Sequence, residues 1–534
     1  MNKKYYDTII VGGGIAGLTS AAYLARKKRK VLLIEKNKKC GGLVSSFQHN
    51  GFHFEAGVRA LENAGIVIPM LQDLGIELEL VRSIVSVGIE KDILIVKDKN
   101  SLNDYENLLK KYYPESKTEI EKILSIIKKI MKHMDVLYGI PNPLFKDLKN
   151  DFSYLFKVLL PWLPKFLFTV NKINKMNKPL EEFIAPIIKN HSLRDNISQH
   201  FFRNTPVFFA LSYFSLYLDY EYPINGVGTL ADAMVDKVIE LGGEIKPETF
   251  INQVNAMEKW VKDENGNTYF YNNLIWAADL KYFYKNTNIE KLPPKIKKEF
   301  EAEKQKIQLA KGNESVFTLY LEVDEPLETF KNISTGHLFY SPSRMGLGDL
   351  HTSAVDNMIN NWGNITKEEL YNWMEKFLEL NTFEISIPGL RNPQLVPEGK
   401  TGIIVSFLAD YQLFSNLNKN GWLEEFRKKL EKGIIRVLSK SIFPMLEDKI
   451  IDSFSSTPLA IKNRVATSEG AIVGWSFRGD VPVPNSIKDS SKAIFTAIPN
   501  IYKAGQWAYS PAGVPMSIIT GKMAADEVAK HKQS

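Results

Sequence analysis

Cysteine is almost absent from this chain of 534 residues, which holds only Cys40. One thiol excludes an intramolecular disulfide and any metal site built on several cysteines, and it is typical of a reducing compartment. The eight histidines are scattered along the chain, which argues against a zinc or iron enzyme, so no metal is expected. The N-terminal residues lead directly into an apolar strand, so we expect no secretory signal peptide and a cytoplasmic location.

Long uninterrupted apolar runs are lacking as well. The most apolar stretch, 152–170, has nearly the length of a bilayer span, but two prolines and two lysines interrupt it and three more lysines follow by residue 178. Aromatic surface beside lysines is typical of a segment in a membrane interface or of a lid over an apolar tunnel, and a buried core is the equal alternative. Peripheral contact with the inner face of the membrane through 152–178 is left open, and a second aromatic run covers 200–217.

A strong excess of one charge is also missing, because a net charge of +7 is modest for this length. The lysine-rich runs at 27–30 and 36–39 are more simply solvated faces than nucleic-acid patches, so no nucleic-acid partner is expected. Hydrophobic residues make up 44% of a chain that is too long for one core. We therefore expect two or three domains.

The first strand, turn and helix carry the clearest motif of the chain. An apolar run from Thr8 to Val11 predicts a buried parallel strand, and Gly12-x-Gly14-x-x-Gly17 follows at once. In such a turn the first glycine permits the tight bend, the second lets a pyrophosphate approach the backbone, and the third lets the helix pack on the strand. The N-terminus of the helix then offers unpaired N–H groups to the phosphates.

An acidic residue completes the motif. Val31 to Ile34 predicts the second strand, and Glu35 stands at its carboxyl end, where an acid accepts hydrogen bonds from a ribose 2′-OH and disfavours a 2′-phosphate. The order of strand, glycines, helix, strand and acid predicts a site for a nucleotide with a diphosphate. NAD and FAD both satisfy it.

The middle of the chain alternates helical and strand patterns. Ser116 and Glu119 have the spacing of a capping box ahead of an amphipathic helix. A helix is expected over 230–241, short strands near 244–246, 250–254 and 273–278, and a hairpin turn at 263–267. Further strands are expected over 315–321 and 401–408 and a helix over 423–438.

The C-terminal segment has the same arrangement as the first motif, a strand followed by a glycine-containing loop and a helix. A strand over 500–504 ends at Gly505, and a loop with Gly513 and Pro515 leads into a helix rich in small residues. The loop aims the exposed N-terminus of that helix at something electron-rich.

Together these patterns predict an α/β fold with a Rossmann-like, discontinuous dinucleotide-binding domain and an inserted α+β substrate domain of mixed sheet and helices. We expect the nucleotide-binding domain over 1–95, 222–300 and 450–534. The substrate domain is expected over 96–221 and 301–449, with its apolar, membrane-facing part at about 150–217.

The motifs resemble those of the phytoene desaturase and carotenoid isomerase family, a branch of the flavoprotein superfamily that includes monoamine oxidases. The resemblance covers most of the chain, and its further motifs, beyond the opening glycines and acid, are Gly41-Gly42, Phe54 to Gly57, Tyr222 to Leu230, Ile387 to Gly399, Thr457 to Leu459, Gly470 to Trp475 and Gly505 to Pro515. Two positions depart from the pattern. Leu43 stands where many members have Arg, and Glu55 replaces the more usual Asp.

The resemblance implies FAD as the cofactor. It would place the pyrophosphate on the opening glycines, the adenosine ribose on Glu35, the adenine end on the backbone of Val254, and the C-terminal helix dipole near the flavin pyrimidine ring. The implied cofactor residues are Gly12, Gly14, Ile15, Ala16, Gly17, Glu35, Lys36, Gly41, Gly42, Leu43, Gly57, Val58, Arg59, Val254, Gly505, Val514, Pro515 and Met516. Expected to face the substrate are Tyr213, Trp475, Trp507 and Tyr509.

The implied function is an FAD-dependent oxidoreductase that acts on carbon–carbon bonds of a long apolar lipid, such as a carotenoid, a retinoid or an unsaturated fatty acid. Desaturation, saturation and redox-neutral isomerisation all remain open, and no catalytic acid or base is assigned. The alternatives are a flavin amine oxidase and a non-catalytic, lipid-binding flavoprotein. The electron donor or acceptor would be external, because only one complete dinucleotide motif is present.

Overall fold

Two large β-sheets organise the chain, whose computed structural model describes residues 4–350 and 352–531. The first sheet has a parallel centre that is extended on one side by an antiparallel hairpin. Its strands, in spatial order, are Glu244–Lys246, Val31–Ile34, Lys4–Val11, Thr268–Trp276, Trp260–Asp263, Ile251–Asn255 and Thr287–Asn288, with Ile501–Lys503 beside the end of Thr268–Trp276.

Two helices cover one face of this sheet because small residues let them approach. The helix Ile15–Arg26 is buried along nearly its whole length, and the C-terminal helix Val514–Lys530 packs against it. A Cβ on Gly521 would lie 2.4 Å from the carbonyl oxygen of Ala16, and the Ser20 hydroxyl donates a hydrogen bond to the Gly521 carbonyl. The two ends of the chain are thereby joined at the nucleotide motif.

The second sheet has seven strands and forms a separate core. In spatial order they are Ile450–Ser456, Ser315–Val323, Thr401–Ala409, Phe383–Ser386, His337–Ser341, Val85–Ile89 and Asp92–Val96. Only the pair His337–Ser341 and Val85–Ile89 is parallel among the pairs of this sheet. Helices Lys367–Leu380 and Leu423–Ser441 contribute apolar side chains to the core on one face of it.

A helical layer packs against the edge strands of the second sheet. Its longest member, Lys117–Leu137, buries the apolar stripe that its sequence predicts. The remaining helices of the described chain with at least seven residues are Val67–Leu74, Ser101–Tyr112, Leu160–Asn174, His191–Ser198, Gly228–Glu240, Leu280–Asn286, Pro294–Leu309, Ser353–Asn360, Tyr411–Lys419 and Pro458–Val465.

The predicted mixed α/β class with a Rossmann-like domain is confirmed. Expected elements such as the strand Val31–Ile34 and the hairpin around Gly266 form where the sequence places them. Some segments join the other sheet: Val85–Ile89, nearly all of Asp92–Val96 and Ile450–Ser456 lie within 1–95 and 450–534 yet pair in the second sheet. The domain boundaries themselves stay a prediction.

The prediction of a capping box at Ser116 and Glu119 is wrong, because that motif does not form. A 3₁₀ turn, Pro114–Ser116, runs directly into the helix Lys117–Leu137, so Ser116 has φ −104° and ψ 19° in place of the extended conformation of an N-cap. Its side chain makes no capping hydrogen bond.

Candidate active site

One cavity of about 1210 Å³ is lined by both the glycine motif and the second sheet. Its volume exceeds the usual range of about 300–1,000 Å³ for a single small ligand. We call its two parts the cradle and the chamber. Lining the cradle are Gly12, Gly14, Ile15, Ala16, Glu35, Lys36, Gly41, Gly42, Leu43, Gly57, Val58, Gly505, Val514 and Pro515; lining the chamber are Arg59, Glu62, His200, Phe201, Phe209, Tyr213, Tyr220, Thr318, His337, Phe339, Glu384 and Ser406.

Each glycine of the first motif is required for a different structural reason. Gly12 has φ +106°, which favours glycine, and a Cβ there would lie 2.7 Å from the carbonyl oxygen of Ala277. A Cβ on Gly17 would lie 1.9 Å from the Gly12 carbonyl oxygen, so the helix could not pack on the turn. A Cβ on Gly14 would meet nothing within 4 Å. Gly14 therefore leaves space for a ligand, while Gly12 and Gly17 shape the turn.

Glu35 is held at the edge of the cradle by backbone donors. It is 8% exposed, and its carboxylate accepts the N–H of Gly13 at 2.7 Å and the N–H of Asn37 at 2.9 Å. Each carboxylate oxygen keeps capacity for a further donor. Cys40 lies nearby, and burial raises the pKa of its thiol to about 12, so the thiol is protonated and unreactive at neutral pH.

The paired glycines Gly41 and Gly42 lie directly beside the first glycine motif. Gly41 lies beside Gly14 in an isolated parallel bridge, and the Gly41 N–H donates to the Gly13 carbonyl at 2.8 Å. A Cβ on Gly57 would lie 2.0 Å from the Leu43 carbonyl oxygen. Arg464 supplies a guanidinium next to Leu43, where it donates to Ser45 Oγ at 3.0 Å and to the Ala56 carbonyl at 2.6 Å.

The C-terminal loop closes the cradle. Gly505, at φ +91°, donates its N–H to Thr520 Oγ1 at 3.0 Å, and Val514 begins the last helix with Pro515 in its first turn. Not all of the predicted site residues line the cavity, since its lining does not include Gly17, Val254, Met516, Trp475 or Tyr509. Trp507 and Tyr213 do line it, and Trp475 is fully buried and donates its Nε1–H to the Trp507 carbonyl at 3.0 Å.

Titratable side chains of the chamber form two groups: Glu62, Tyr220, His337 and Glu384 contact one another in sequence, and His200 contacts Tyr217. Tyr220 donates to Glu62 Oε1 at 3.3 Å, and the Tyr220 ring stacks on His337 with centroids 5.5 Å apart. His337 Nε2 lies 2.9 Å from Glu384 Oε1. His200 faces the same chamber and lies 3.5 Å from the Tyr217 hydroxyl.

Burial sets the protonation of this wall. It raises the pKa of Glu62 to about 7 and lowers the pKa of His200 to about 4. Burial alone would raise the pKa of Glu384, but the hydrogen bond to His337 and the nearby guanidinium of Arg59 hold it below its usual value. At neutral pH the wall therefore carries an ionised Glu384, a neutral His200 and a partly protonated Glu62.

Sequence reasoning missed Glu62, His200, His337 and Glu384. They come from four distant segments, and no spacing in the sequence connects them. Glu62 stands five residues after Gly57, Glu384 stands three residues before the motif that begins at Ile387, and His200 begins the aromatic run 200–217, but none of these neighbourhoods indicates a shared site. The pairing of Leu61–Glu62 with Tyr220–Pro223 positions Glu62, and the pairing of His337–Ser341 with Phe383–Ser386 positions His337 and Glu384. His200 belongs to no strand and follows the helix His191–Ser198.

Three motifs, Phe54 to Gly57, Tyr222 to Leu230 and Ile387 to Gly399, are joined by a buried network of contacts behind the cavity. The Tyr222 hydroxyl donates to Glu55, and the Arg391 guanidinium lies over the Tyr222 ring at 4.5 Å. The Asn392 side chain donates to the Ile224 carbonyl at 2.9 Å. Glu55 and Tyr222 are fully buried, so these motifs fix the cradle against the second sheet.

The described residues contain one group with three potential metal ligands, His49, Glu322 and Asp452, and it lies outside the cavity lining. His49 and His53 are four residues apart, but they lie on the two strands of a hairpin, Ser46–His49 and Phe52–Glu55. His49 Nδ1 is bonded to Glu322 at 2.6 Å, which satisfies the buried carboxylate without an ion.

Comparisons with known proteins show what this chain is similar to. A sequence model of the NAD(P)-binding Rossmann-like domain matches residues 10–74. The chloroplastic prolycopene isomerase 1 of an Oncidium hybrid cultivar is 22% identical over 98% of this chain and 84% of its own length. The all-trans-retinol 13,14-reductase of Rattus norvegicus is 22% identical over 94% of this chain and 82% of its own.

The phytoene desaturase of Fusarium fujikuroi is 21% identical over 98% of this chain and 89% of its own. Over nearly its whole length the chain is similar to a prolycopene isomerase, a phytoene desaturase and a retinol reductase. The resemblance that the motifs carry is thereby confirmed. Among solved structures, the cyclohexylamine oxidase of Brevibacterium oxydans IH-35A matches with a TM-score of 0.60 at 13% identity, covering 98% and 99% of the two chains. That likeness shows the fold.

Proposed function

We propose that this protein is an FAD-dependent oxidoreductase that acts on the carbon–carbon double bonds of a long apolar polyene. The observation that carries the proposal is the single cavity that joins a diphosphate-nucleotide cradle to an aromatic chamber. The relatives named for prolycopene, retinol and phytoene support the choice of substrate.

The residues of the cradle fit a flavin dinucleotide. The open space at Gly14, the spare acceptor capacity of Glu35 and the N-terminus of the last helix at Val514 all face the cavity. The positive end of that helix would stabilise negative charge on a reduced flavin. When bound, FAD supplies the hydride transfer that double-bond chemistry needs.

The chain itself binds and orients the polyene. Phe201, Phe209 and Phe339 give the chamber apolar faces that exclude water, and a conjugated chain can stack on them. Glu62, whose pKa of about 7 lies near neutrality, can hold or release a proton at its carboxyl oxygens. Such a group suits a reaction in which a proton joins or leaves a carbon of the double bond.

The second candidate function is oxidation of an amine, and the acidic wall of the chamber favours it, because Glu62 and Glu384 would attract an ammonium group. Flavin amine oxidases commonly present a pair of aromatic side chains to the flavin. Of the two candidates in the C-terminal segment, Trp507 lines the cavity and Tyr509 does not, which argues against an amine oxidase. The lipid function therefore has the better support.

The test uses the purified holoprotein under anaerobic conditions. We expect a yellow protein that releases FAD on denaturation and, with its flavin chemically reduced, converts prolycopene or all-trans-retinol to products seen by chromatography. Flavin bleaching by putrescine or cyclohexylamine with no change in either polyene would favour the amine function. A colourless protein without extractable FAD would refute both.

We also propose that the segment 152–178, which we call the apolar arm, lies on an anionic lipid bilayer. It is helical at Phe152–Tyr154, Leu155–Leu159 and Leu160–Asn174. Six large apolar side chains of the arm are exposed: Phe152, Phe156, Leu160, Leu163, Leu167 and Phe168. Among the described residues, no helix is long and apolar enough to cross a membrane.

The positive charge of the apolar arm favours an anionic lipid surface as its binding partner. The arm has five exposed lysines, 157, 165, 172, 175 and 178, and no Asp or Glu occurs from 152 to 180. Exposed apolar side chains beside lysines match the acyl boundary and the anionic headgroups of a bilayer. Trp162 and Phe166 are half-buried and stack on each other, and Trp162 donates to the Val136 carbonyl, so these two anchor the arm to the protein.

Vesicle flotation tests this contact. The variant Phe156→Ser/Leu167→Ser/Phe168→Ser should bind vesicles of phosphatidylcholine and phosphatidylglycerol at least tenfold more weakly than the wild type. Leu309→Ser is the control, because Leu309 is 76% exposed on another helix. Unchanged binding of the triple variant, or a wild type that floats with neither anionic nor neutral vesicles, would refute the proposal.

A further inference from the structure

The helix Pro458–Val465 ends beside the cradle, although it belongs to no part of the nucleotide motif. Thr457 caps its start, because the Thr457 hydroxyl accepts an N–H of the first turn at 3.3 Å. At its other end Ala466 has φ +53°, which turns the chain so that residues 465–468 line the cavity. The motif Thr457 to Leu459 therefore starts a helix whose C-terminal end contributes to the site.

Two side chains fasten this helix end to the second strand of the nucleotide motif. Lys36 Nζ donates to the Asn463 carbonyl at 2.8 Å, and the Asn37 side chain donates to the Arg464 carbonyl at 3.0 Å. Because the last carbonyl groups of a helix have no partner within it, these donors also satisfy the helix end. Lys36 and Asn37 directly follow Glu35, so the helix end and this acid are held in one arrangement.

The side chain of Arg464 fastens the same helix end to two loops of the cradle. Its guanidinium donates to the Gly42 carbonyl at 3.4 Å and to Ser45 Oγ at 3.0 Å. It also donates to the Ala56 carbonyl at 2.6 Å, next to Gly57. A rigid guanidinium fork holds several acceptors in a fixed relation. Arg464 therefore connects the loop of Gly42 to that of Gly57, and both glycines line the cradle.

The charge of Arg464 is not balanced by a nearby acid. Its three acceptors are neutral oxygens, and in the part of the chain that the structure describes no carboxylate forms an ion pair with it. Burial, with the guanidinium of Arg59 nearby, lowers the pKa of Arg464, although the group stays charged at neutral pH. An anionic ligand in the cradle would offset the cost of burying this charge. Arg464 does not line the cavity, so it acts on such a ligand through its charge and through the backbone that it holds.

We propose that Arg464 is a positioning residue for FAD, because it fixes the loop of Gly42 against that of Gly57 and brings a positive charge to the cradle. The proposal rests on FAD as the cofactor, which belongs to the proposed function. It adds to the site a side chain 422 residues beyond Gly42, on a helix that the nucleotide motif does not include. Without Arg464 the two loops lose their common donor, and the cradle loses affinity for a diphosphate.

The experiment dilutes the FAD-loaded protein and follows the release of FAD by the rise of flavin fluorescence, and FAD added back gives the dissociation constant. Arg464→Leu should bind FAD at least tenfold more weakly than the wild type, which is about 1.4 kcal/mol. Arg464→Lys keeps the charge but not the fork, so it should recover only part of this loss.

Arg82→Leu is the matched control and should bind FAD as the wild type does. Arg82 is exposed and lies outside the cavity lining, and its guanidinium likewise donates to a backbone carbonyl, that of Lys97 at 2.7 Å.

Displacement of FAD by ADP and by adenosine tests whether Arg464 acts on the diphosphate. Both probes contain adenosine, but only ADP carries a diphosphate. In Arg464→Leu the affinity for ADP should fall at least fivefold, and the affinity for adenosine should change less than twofold. A purely structural defect would weaken both probes alike.

The outcomes separate this proposal from the proposed function. A wild type that does not bind FAD would refute the cofactor and the role of Arg464 together. If the wild type binds FAD, then unchanged affinity in Arg464→Leu, equal losses for ADP and adenosine, or full recovery in Arg464→Lys would overturn the role of Arg464 and leave the FAD-dependent function standing. If Arg464→Leu does not fold, Arg464→Lys carries the test, and wild-type affinity in that variant would overturn the proposal.

Discussion

The cradle and the chamber are two parts of one cavity, yet they are built in different ways. The cradle is made from backbone: Gly12, Gly14 and Gly41 expose main-chain atoms to the cavity, and Glu35 is fixed by two backbone N–H groups. The chamber is made from side chains that several distant segments contribute. Backbone geometry follows from a short local motif, whereas a side-chain wall follows from tertiary pairing.

This difference affects what each part recognises. A backbone cradle accepts a ligand common to a whole superfamily, because any sequence with the right glycines can form it. A side-chain wall changes with single substitutions, so under the proposed function the chamber would select the substrate. The following variants test that contrast, from the largest expected effect to the smallest.

Arg203→Leu should lower the free energy of unfolding by about 3–5 kcal/mol. Arg203 is 7% exposed and pairs with Glu314 at 2.6 Å, Asp410 at 2.9 Å and Asp356 at 3.3 Å. Its loss would leave the buried carboxylate of Glu314 without its guanidinium partner and would loosen the adjacent segment, which carries Phe201 at the chamber wall. Urea unfolding measures the effect.

Arg478→Leu is the matched control, because Arg478 binds the same Asp356 at 2.7 Å but is 45% exposed. An exposed pair contributes at most about 1 kcal/mol. Equal losses in the two variants would contradict the role of burial at Arg203.

Gly17→Ala should destabilise the apoprotein by about 3 kcal/mol and abolish retention of FAD, because its Cβ would lie 1.9 Å from the Gly12 carbonyl oxygen. Gly14→Ala should leave the apoprotein within about 0.5 kcal/mol of the wild type, since its Cβ meets no atom within 4 Å. FAD binding to Gly14→Ala should still fall, because the methyl group enters the cradle. Thermal unfolding with and without FAD tests the pair, and a Gly14→Ala protein with wild-type FAD affinity would refute the cradle.

Glu62→Gln should remove part of the pH dependence of stability. The folded-state pKa of Glu62, about 7, lies above its ordinary value of 4.5, so the protonated form stabilises the fold. That contribution is fully present below pH 4.5 and is lost as the pH rises through about 7, with a magnitude on the order of 2 kcal/mol. The groups that face Glu62 are Tyr138, Tyr213, Asp219 and Tyr220.

Thermal unfolding at pH 5, 6, 7 and 8 measures this effect. The difference in melting temperature between Glu62→Gln and the wild type should grow in favour of the variant as the pH rises. Glu77→Gln is the control, because Glu77 is exposed and lies outside the cavity lining, and it should follow the wild type at every pH. A constant offset for Glu62→Gln across the range would contradict the raised pKa.

The prediction from sequence succeeded where the signal was local. The run before Gly12 and the strand Val31–Ile34 form as expected, because a buried parallel strand is a continuous apolar run whatever its neighbours are. It failed at Ser116, where the preceding turn decides the backbone conformation. It also gave no hint of Arg203, whose acidic partners lie more than 100 residues away along the chain.

The sequence by itself determined the α/β class, the nucleotide motif and the relationship to carotenoid- and retinol-acting proteins, because each depends on residues close together in the chain. The tertiary structure alone decided that Glu62, His200, His337 and Glu384 share one wall and that Trp475 lies behind Trp507. Strand pairing between distant segments places Glu62, His337 and Glu384, and the packing of distant segments places His200 and Trp475. Neither kind of contact leaves a spacing in the sequence by which it could be found.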